Sequence, residues 1–329
     1  MEPLIISKKP RLKKPCLIVA WPGMGEVAFK AANYLIEELK AVEFARIAPE
    51  EFFYLTASVI TQGILDIPAL PQGKFYYWKN PGTKLRDSAK RDLVIFLSNA
   101  QPDLSKADSY VKIIIGLAKS LGVETVVSFA SMPQTTDHTQ EAQVWFAATD
   151  QKTKESLKKY NFHELAQGQI SGMNGLFLGI AKKAGLKGFC LLGDIPLYTI
   201  QIENPKASAA VLEGLSKILD IPINLMPLKE QAQGMENEIN KLLDYLKLGP
   251  PGQSAPIGED EVELIKKTLS QLTKLPVSIK EKIEKLFEES RLDIAKANEL
   301  KSELDKWNVY KEYEDKFLDL FRKNKEKGN

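Results

Sequence analysis

Short apolar runs alternate with helical stripes through the first two thirds of the chain. Leu17–Trp21, Leu93–Leu97, Thr125–Ala130, Val144–Ala148 and Phe189–Leu192 carry almost no polar residue, the pattern of strands covered on both faces. Between them, apolar positions recur every three or four residues, as in Val27, Ala31, Leu35 and Leu39, in Tyr110, Ile114, Leu117 and Leu121, and in Ala209, Leu212, Leu215 and Leu219. Such alternation predicts an α/β domain with a mainly parallel sheet. Val42–Ile47, Phe53–Ile60 and Phe75–Trp78 read as strands rich in aromatic and β-branched residues, punctuated by Pro68, Pro71, Gly73, Pro81 and Gly82. Asp150–Tyr160 reads as a helix and Ile221–Leu225 as an edge strand.

The pattern changes near residue 249. Lys229–Lys247 is a helix with a stripe at Met235, Ile239, Leu242 and Leu246. Gly249-Pro250-Pro251-Gly252 and the residues to Pro256 can neither continue a helix nor fill a strand ladder. This divides the chain into an α/β domain at 1–248, a linker at 249–258 and an all-α appendage at 259–329. The appendage has stripes at Val262, Ile265, Leu269 and Leu272, and again at Ile279, Ile283, Leu286 and Phe287 behind a Ser278/Glu281 capping box. Further stripes at Leu300, Leu304 and Trp307, and at Tyr310, Tyr313, Phe317 and Leu320, lie amid dense mixed charge. Short amphipathic helices need a surface on which to bury their stripes, so another protein is a candidate partner there.

Two glycine-rich turns are the candidate functional elements. The first, Trp21-Pro22-Gly23-Met24-Gly25, joins a buried strand to a small-residue helix. The second, Gly168 to Gly175, opens a helix that Asn174 is placed to cap, that Gly179 lets pack closely on a sheet, and that Gly185 ends. Backbone donors at such helix starts favour anions. The first turn lacks the third glycine of a dinucleotide fingerprint and the Lys-Ser/Thr pair of a phosphate loop. Strand ends of a parallel sheet converge on one crevice. The candidate ligand pocket is therefore Trp21, Gly23, Met24, Gly25, Asn99, Ser131, Gly172, Asn174, Gly175 and Asp194, with Gln101 and Ser128 as further strand-end residues.

The run Ile170-Ser171-Gly172-Met173-Asn174-Gly175-Leu176, the helix end Ala181-Lys182-Lys183-Ala184-Gly185 and the strand Cys190-Leu191-Leu192-Gly193-Asp194-Ile195-Pro196 resemble the proteasome assembly chaperone 2 family. In that family Glu is common at the position of Asp194. The Trp21–Gly25 turn is similar to the family's first strand-to-helix turn. The resemblance implies a three-layer α/β/α fold like that of phosphorylases and peptidyl hydrolases, and a homo-oligomer, with a trimer favoured. Some archaeal members are thought to dock on the proteasome core through a C-terminal hydrophobic-Tyr tail. This chain reads Lys327-Gly328-Asn329 there, which implies no tail-mediated docking.

Composition narrows the function. A net charge of +2 over 329 residues argues against nucleic acid as a partner. Lys8 to Lys14 precede an apolar run too short for a leader or a membrane span, so a cytoplasmic protein is expected. Cys16 and Cys190 lie inside strand runs and read as buried free thiols. Neither His138 nor His163 has a neighbour at metal-ligand spacing, and no nucleophile motif is present. No catalytic residue, metal or cofactor is therefore expected. The aromatic cluster Phe52, Phe53, Tyr54, Phe75, Tyr76, Tyr77 and Trp78 reads as core or as a self-association surface. A non-enzymatic, oligomeric binding or assembly-chaperone-like protein is the leading reading. The alternative is a phosphorylase- or hydrolase-type enzyme holding an anionic or nucleoside-like ligand at the sheet's carboxyl edge.

Overall fold

The computed structural model describes residues 3–55, 58–81, 91–248, 277–293, 296–306 and 309–325. Its centre is a nine-stranded sheet of β1 (Leu4–Ile6), β2 (Cys16–Ala20), β3 (Val42–Ile47), β6 (Gly73–Trp78), β7 (Leu93–Ser98), β8 (Thr125–Gln134), β9 (Val144–Ala148), β10 (His163–Glu164) and β11 (Lys187–Pro196). The strand order is β1-β3-β6-β7-β2-β8-β11-β9-β10. Strands β7, β2 and β8 are parallel and form the middle. The flank β1-β3-β6-β7 is antiparallel throughout, and β11 meets β9 antiparallel. The expectation of a mainly parallel sheet thus gives way to a mixed one. Parallel pairs need crossover connections, whereas β3, β6 and β7 pair with neighbours of opposite direction.

Pleating sends alternate residues of β2 to opposite faces. Leu17, Val19 and Trp21 join a core with Val94 and Phe96 of β7 and with the inner faces of α2 (Ala107–Ser120) and α4 (Met173–Lys183). On the other face lie α1 (Val27–Glu38) and α5 (Pro205–Leu219), where Ser208 Oγ of α5 donates to the Val27 carbonyl of α1. Full burial of Cys16, Ile18 and Ala20 on β2 shows that both faces are covered, giving three layers, α/β/α. Glycine makes one of these layers possible: a Cβ at Gly193 would stand 2.7 Å from the Ala207 carbonyl oxygen, so α5 sits directly on β11. Gly179 does not have the close-packing role its sequence position suggests. It is exposed, with nothing within 4 Å of an added Cβ, whereas at Gly188 of β11 a Cβ would lie 2.3 Å from the Val126 carbonyl oxygen.

Two expected strands are replaced. Phe53–Ile60 is not one strand. Phe52 and Phe53 close a 3-10 turn and bury their rings against Tyr110, with centroids at 4.8 and 5.8 Å, and among the described residues there the strand is Val59–Thr61 (β4), paired with Ile64–Asp66 (β5) in a separate hairpin. Ile221–Leu225 is a loop: Ile221 is buried, the Ser216 hydroxyl donates to its carbonyl at 2.7 Å, and Tyr34 of α1 donates to the Asn224 carbonyl. Strand β8 also runs past Ala130 to Gln134. Asp150 accepts from Thr153 N to cap α3 (Gln151–Lys158), as its position suggests.

The chain divides into two compact units. One comprises Met1–Pro133, Thr139–Ile195 and Ile202–Met235; the other comprises Gln134–His138, Pro196–Gln201 and Glu236–Asn329. Helix α6 (Met226–Leu248) contributes to both. In the second unit α7 (Val277–Leu292), α8 (Ala297–Lys306) and α9 (Tyr310–Lys325) pack on one another. Ile283, Leu286, Phe287, Leu300, Leu304, Phe317 and Leu320 are buried, and Phe287 stacks on Tyr313 at 5.8 Å. These stripes therefore find much of their apolar surface within the bundle. The 249–258 linker and the Val262–Leu272 stripe lie outside the described residues, as do residues 326–329 and the side chains of Ser278 and Glu281.

Candidate functional site

The two glycine turns meet at the carboxyl edge of the parallel strands. Asn174 is buried and caps nothing. Its Oδ1 accepts from Trp21 N and its Nδ2 donates to Trp21 O, both at 3.0 Å across 153 residues of sequence. The amide thus acts as one more rung of a ladder, closing the backbone where β2 runs out of strand partners. Helix α4 starts instead at Gly172, whose φ of 72° lies in the left-handed region, and no side chain caps it.

Gln101 supplies a second clasp. Its Nε2 donates to Pro22 O at 2.9 Å and its Oε1 accepts from Met173 N at 3.2 Å, joining the end of β7, the first turn and the start of α4. A Cβ on Gly172 would reach to 2.9 Å from Gln101 Nε2, and one on Gly175 to 2.0 Å from the Ile170 carbonyl oxygen. Both glycines therefore answer to close approach by the chain itself. Gly23 is exposed and Met24 half-buried beside this clasp.

The other candidates lie apart from it. The Trp21 indole points into the core between Phe96 and Phe177, with centroids at 5.3 and 5.8 Å. Asn99 Oδ1 accepts from Gln72 N at 2.7 Å and holds the turn before β6. Ser131 is half-buried within β8, while Ser128 is fully buried. Asp194, near the end of β11, accepts from Gln143 N at 2.5 Å, and burial raises its pKa above the usual carboxylate range.

Gly25 has a φ of 62° and is followed by Glu26 at 50°, so two successive left-handed residues turn the chain into α1. A Cβ on Gly25 would sit 3.0 Å from Ile195 Cδ1, and its carbonyl accepts from Asn204 N at 2.8 Å. Burial, then the neighbouring Glu203 carboxylate, raises the pKa of Glu26, while Lys30 pairs with Glu203 at 2.7 Å. The sequence gives no local sign of Gln101, Gln143 or Asn204 in these roles, because each partner is more than 50 residues away in sequence or is a backbone group.

Among the described residues no group of three or more His, Cys, Asp or Glu is arranged to hold a metal ion, and no helix is long and apolar enough to cross a membrane. His138 is buried, with Nδ1 2.8 Å from the Tyr198 hydroxyl and Nε2 2.8 Å from Asn240 Oδ1; His163 is exposed at the edge strand β10. Cys16 and Cys190 are free and buried, and burial pushes both thiols up to about 12.

A model of the PAC2 family matches residues 17–243, well over half of the chain. The chain belongs to the PAC2 family. The match takes in both turns and every strand of the PAC2 sheet after β1. Among curated relatives, the uncharacterized protein MJ1210 of Methanocaldococcus jannaschii is 27% identical over 269 residues, covering 79% of this chain and 97% of the relative. Among solved structures, Pyrococcus furiosus PbaB, described as an archaeal proteasome activator, is 27% identical with a TM-score of 0.62, over 73% of this chain and 97% of PbaB. Pyrococcus furiosus PbaA, described as an archaeal homolog of proteasome-assembly chaperone, is 26% identical with a TM-score of 0.53, over 73% of this chain and 95% of PbaA.

Proposed function

We propose that this PAC2-family protein is a non-enzymatic, assembly-chaperone-like binding protein of the cytoplasm, acting as a homo-oligomer, with three copies the expected order. Its partner is another protein, the proteasome core particle. The observation that carries the reading is the likeness to PbaA, described as an archaeal homolog of proteasome-assembly chaperone, which holds at 26% identity over 95% of that protein's length. The hydrogen bonds of Asn174 and Gln101 support it from the other side. Both amides are engaged with backbone, which favours packing over a ligand crevice at the two glycine turns.

The test is direct binding. Purified proteasome core particles, and their separated subunits, are mixed with the protein and followed by sedimentation velocity and by native-gel assembly of core particles. A faster-sedimenting complex and an altered assembly rate are expected. Removing residues 326–329 leaves both unchanged if docking does not run through the tail. No complex at tens of micromolar of each protein would refute the reading.

A further inference from the structure

The β4–β5 hairpin is the most exposed apolar feature of the described chain. Gln62 and Gly63 turn it with φ of 52° and 81°, the two positive angles of a tight primed turn whose twist suits paired strands. Its register sets Ile60 opposite Leu65 on one face, and Val59 opposite Asp66 and Thr61 opposite Ile64 on the other. Ile60, Leu65 and Ile64 are 69%, 66% and 71% exposed, and Val59 is 47% exposed. A two-stranded hairpin on its own is marginally stable in water, and this one leaves both faces apolar.

We infer that this hairpin is a self-association element, sandwiched between the corresponding hairpins of two further copies of the chain. This rests on the oligomeric reading above and names the surface that makes it. Three observations select a second copy as the occupant. Asp66 is the only charged residue between Val59 and Ile67, so there is little for a charged partner to complement. With Ile67 at 71% exposed, five of the nine residues from Val59 to Ile67 are large apolar side chains open to solvent, a density that marks an association surface rather than a solvated loop. The apolar residues also occupy both faces. A two-fold pair of hairpins covers one face and leaves the other wet, whereas a head-to-tail arrangement that closes on itself covers both in every copy.

The experiment is the mass in solution, by light scattering, of the full chain and of two variants, Ile60→Lys on one face and Ile64→Lys on the other. The wild type is expected at three or more times 36.8 kDa. Each variant is expected as a folded monomer with a cooperative melt, lowered only by the stabilisation that assembly gives, and a 1:1 mixture of the two as a two-copy complex joined through their intact faces. A monomeric wild type overturns both this inference and the oligomeric reading. An assembled wild type whose variants also assemble overturns the hairpin surface alone, and loss of assembly in only one variant overturns the two-faced arrangement. Should either variant unfold, Ile60→Cys/Ile64→Cys replaces it. The native thiols Cys16 and Cys190 are fully buried, so oxidation joins only the new pair. A ladder up to the full oligomer is expected, and its absence overturns the inference.

Discussion

Replacing Asn174 by Ala removes both hydrogen bonds to the Trp21 backbone while leaving the helix free to form. Trp21 is fully buried, so its N–H and C=O cannot turn to water. Each stranded group costs about 1–3 kcal/mol, giving about 2–6 kcal/mol in all, against about 1 kcal/mol per bond had water been able to replace the amide. For a chain with an α/β domain of this size, each kcal/mol lowers Tm by about 2–4 °C, so a fall of roughly 4–24 °C is expected. Urea denaturation gives the magnitude, and amide hydrogen exchange gives the location, because Trp21 N–H should lose protection out of proportion to its neighbours on β2. A loss below about 0.5 kcal/mol with Trp21 still protected would refute the clasp. Asn174→Asp keeps an acceptor for the N–H but sets a buried carboxylate against the Trp21 carbonyl, so its deficit should grow as pH rises from 5 to 8.

Gly175→Ala should destabilise severely, since its Cβ would stand 2.0 Å from a backbone oxygen, whereas Gly179→Ala, five positions from Asn174 on open surface, should raise stability by up to about 1 kcal/mol; paired thermal melts read both. Burial raises the pKa of Asp194, so its protonated form is favoured by folding and stability is lost as pH climbs through the folded value. Asp194→Asn, which keeps the acceptor for Gln143 N, should therefore raise Tm at pH 7 and do little at pH 3, and an equal gain at both would count against that account. A chain ending at residue 248 should retain a cooperative melt, as expected if 249–258 is a linker; an uncooperative melt would remove that boundary.

The apolar runs of β2, β7 and β11 and the stripes of α1, α2 and α5 were legible because a strand covered on both faces, or a helix covered on one, must write its burial into consecutive residues. Strands β3 and β6 were legible as strands but not in direction, which the routing of their connections decides, and the two- and three-residue edge strands β10 and β1 are too short to carry a pattern. Phe52 and Phe53 carry the composition of a strand yet serve as plugs beside Tyr110, a role set by tertiary packing. At the glycine turns the meeting of the two motifs follows from parallel topology, but its chemistry does not. Asn174 sits where a cap belongs and is drawn instead to an unpaired strand end, and Gln101, legible only as a strand-end residue, bridges partners 79 and 72 residues away that nothing local specifies.

The clasp also sets a timetable for the newborn chain. Strand β2 leaves the ribosome well before α4, and the side chain that finishes it is encoded 153 residues later. At about 5–20 residues per second that interval is about 8–30 s, during which β2 can collapse but cannot complete its hydrogen bonding. Native closure of the central strand therefore waits for synthesis of α4, and a nascent chain stalled before residue 174 presents an unfinished sheet to the cell's folding and degradation machinery.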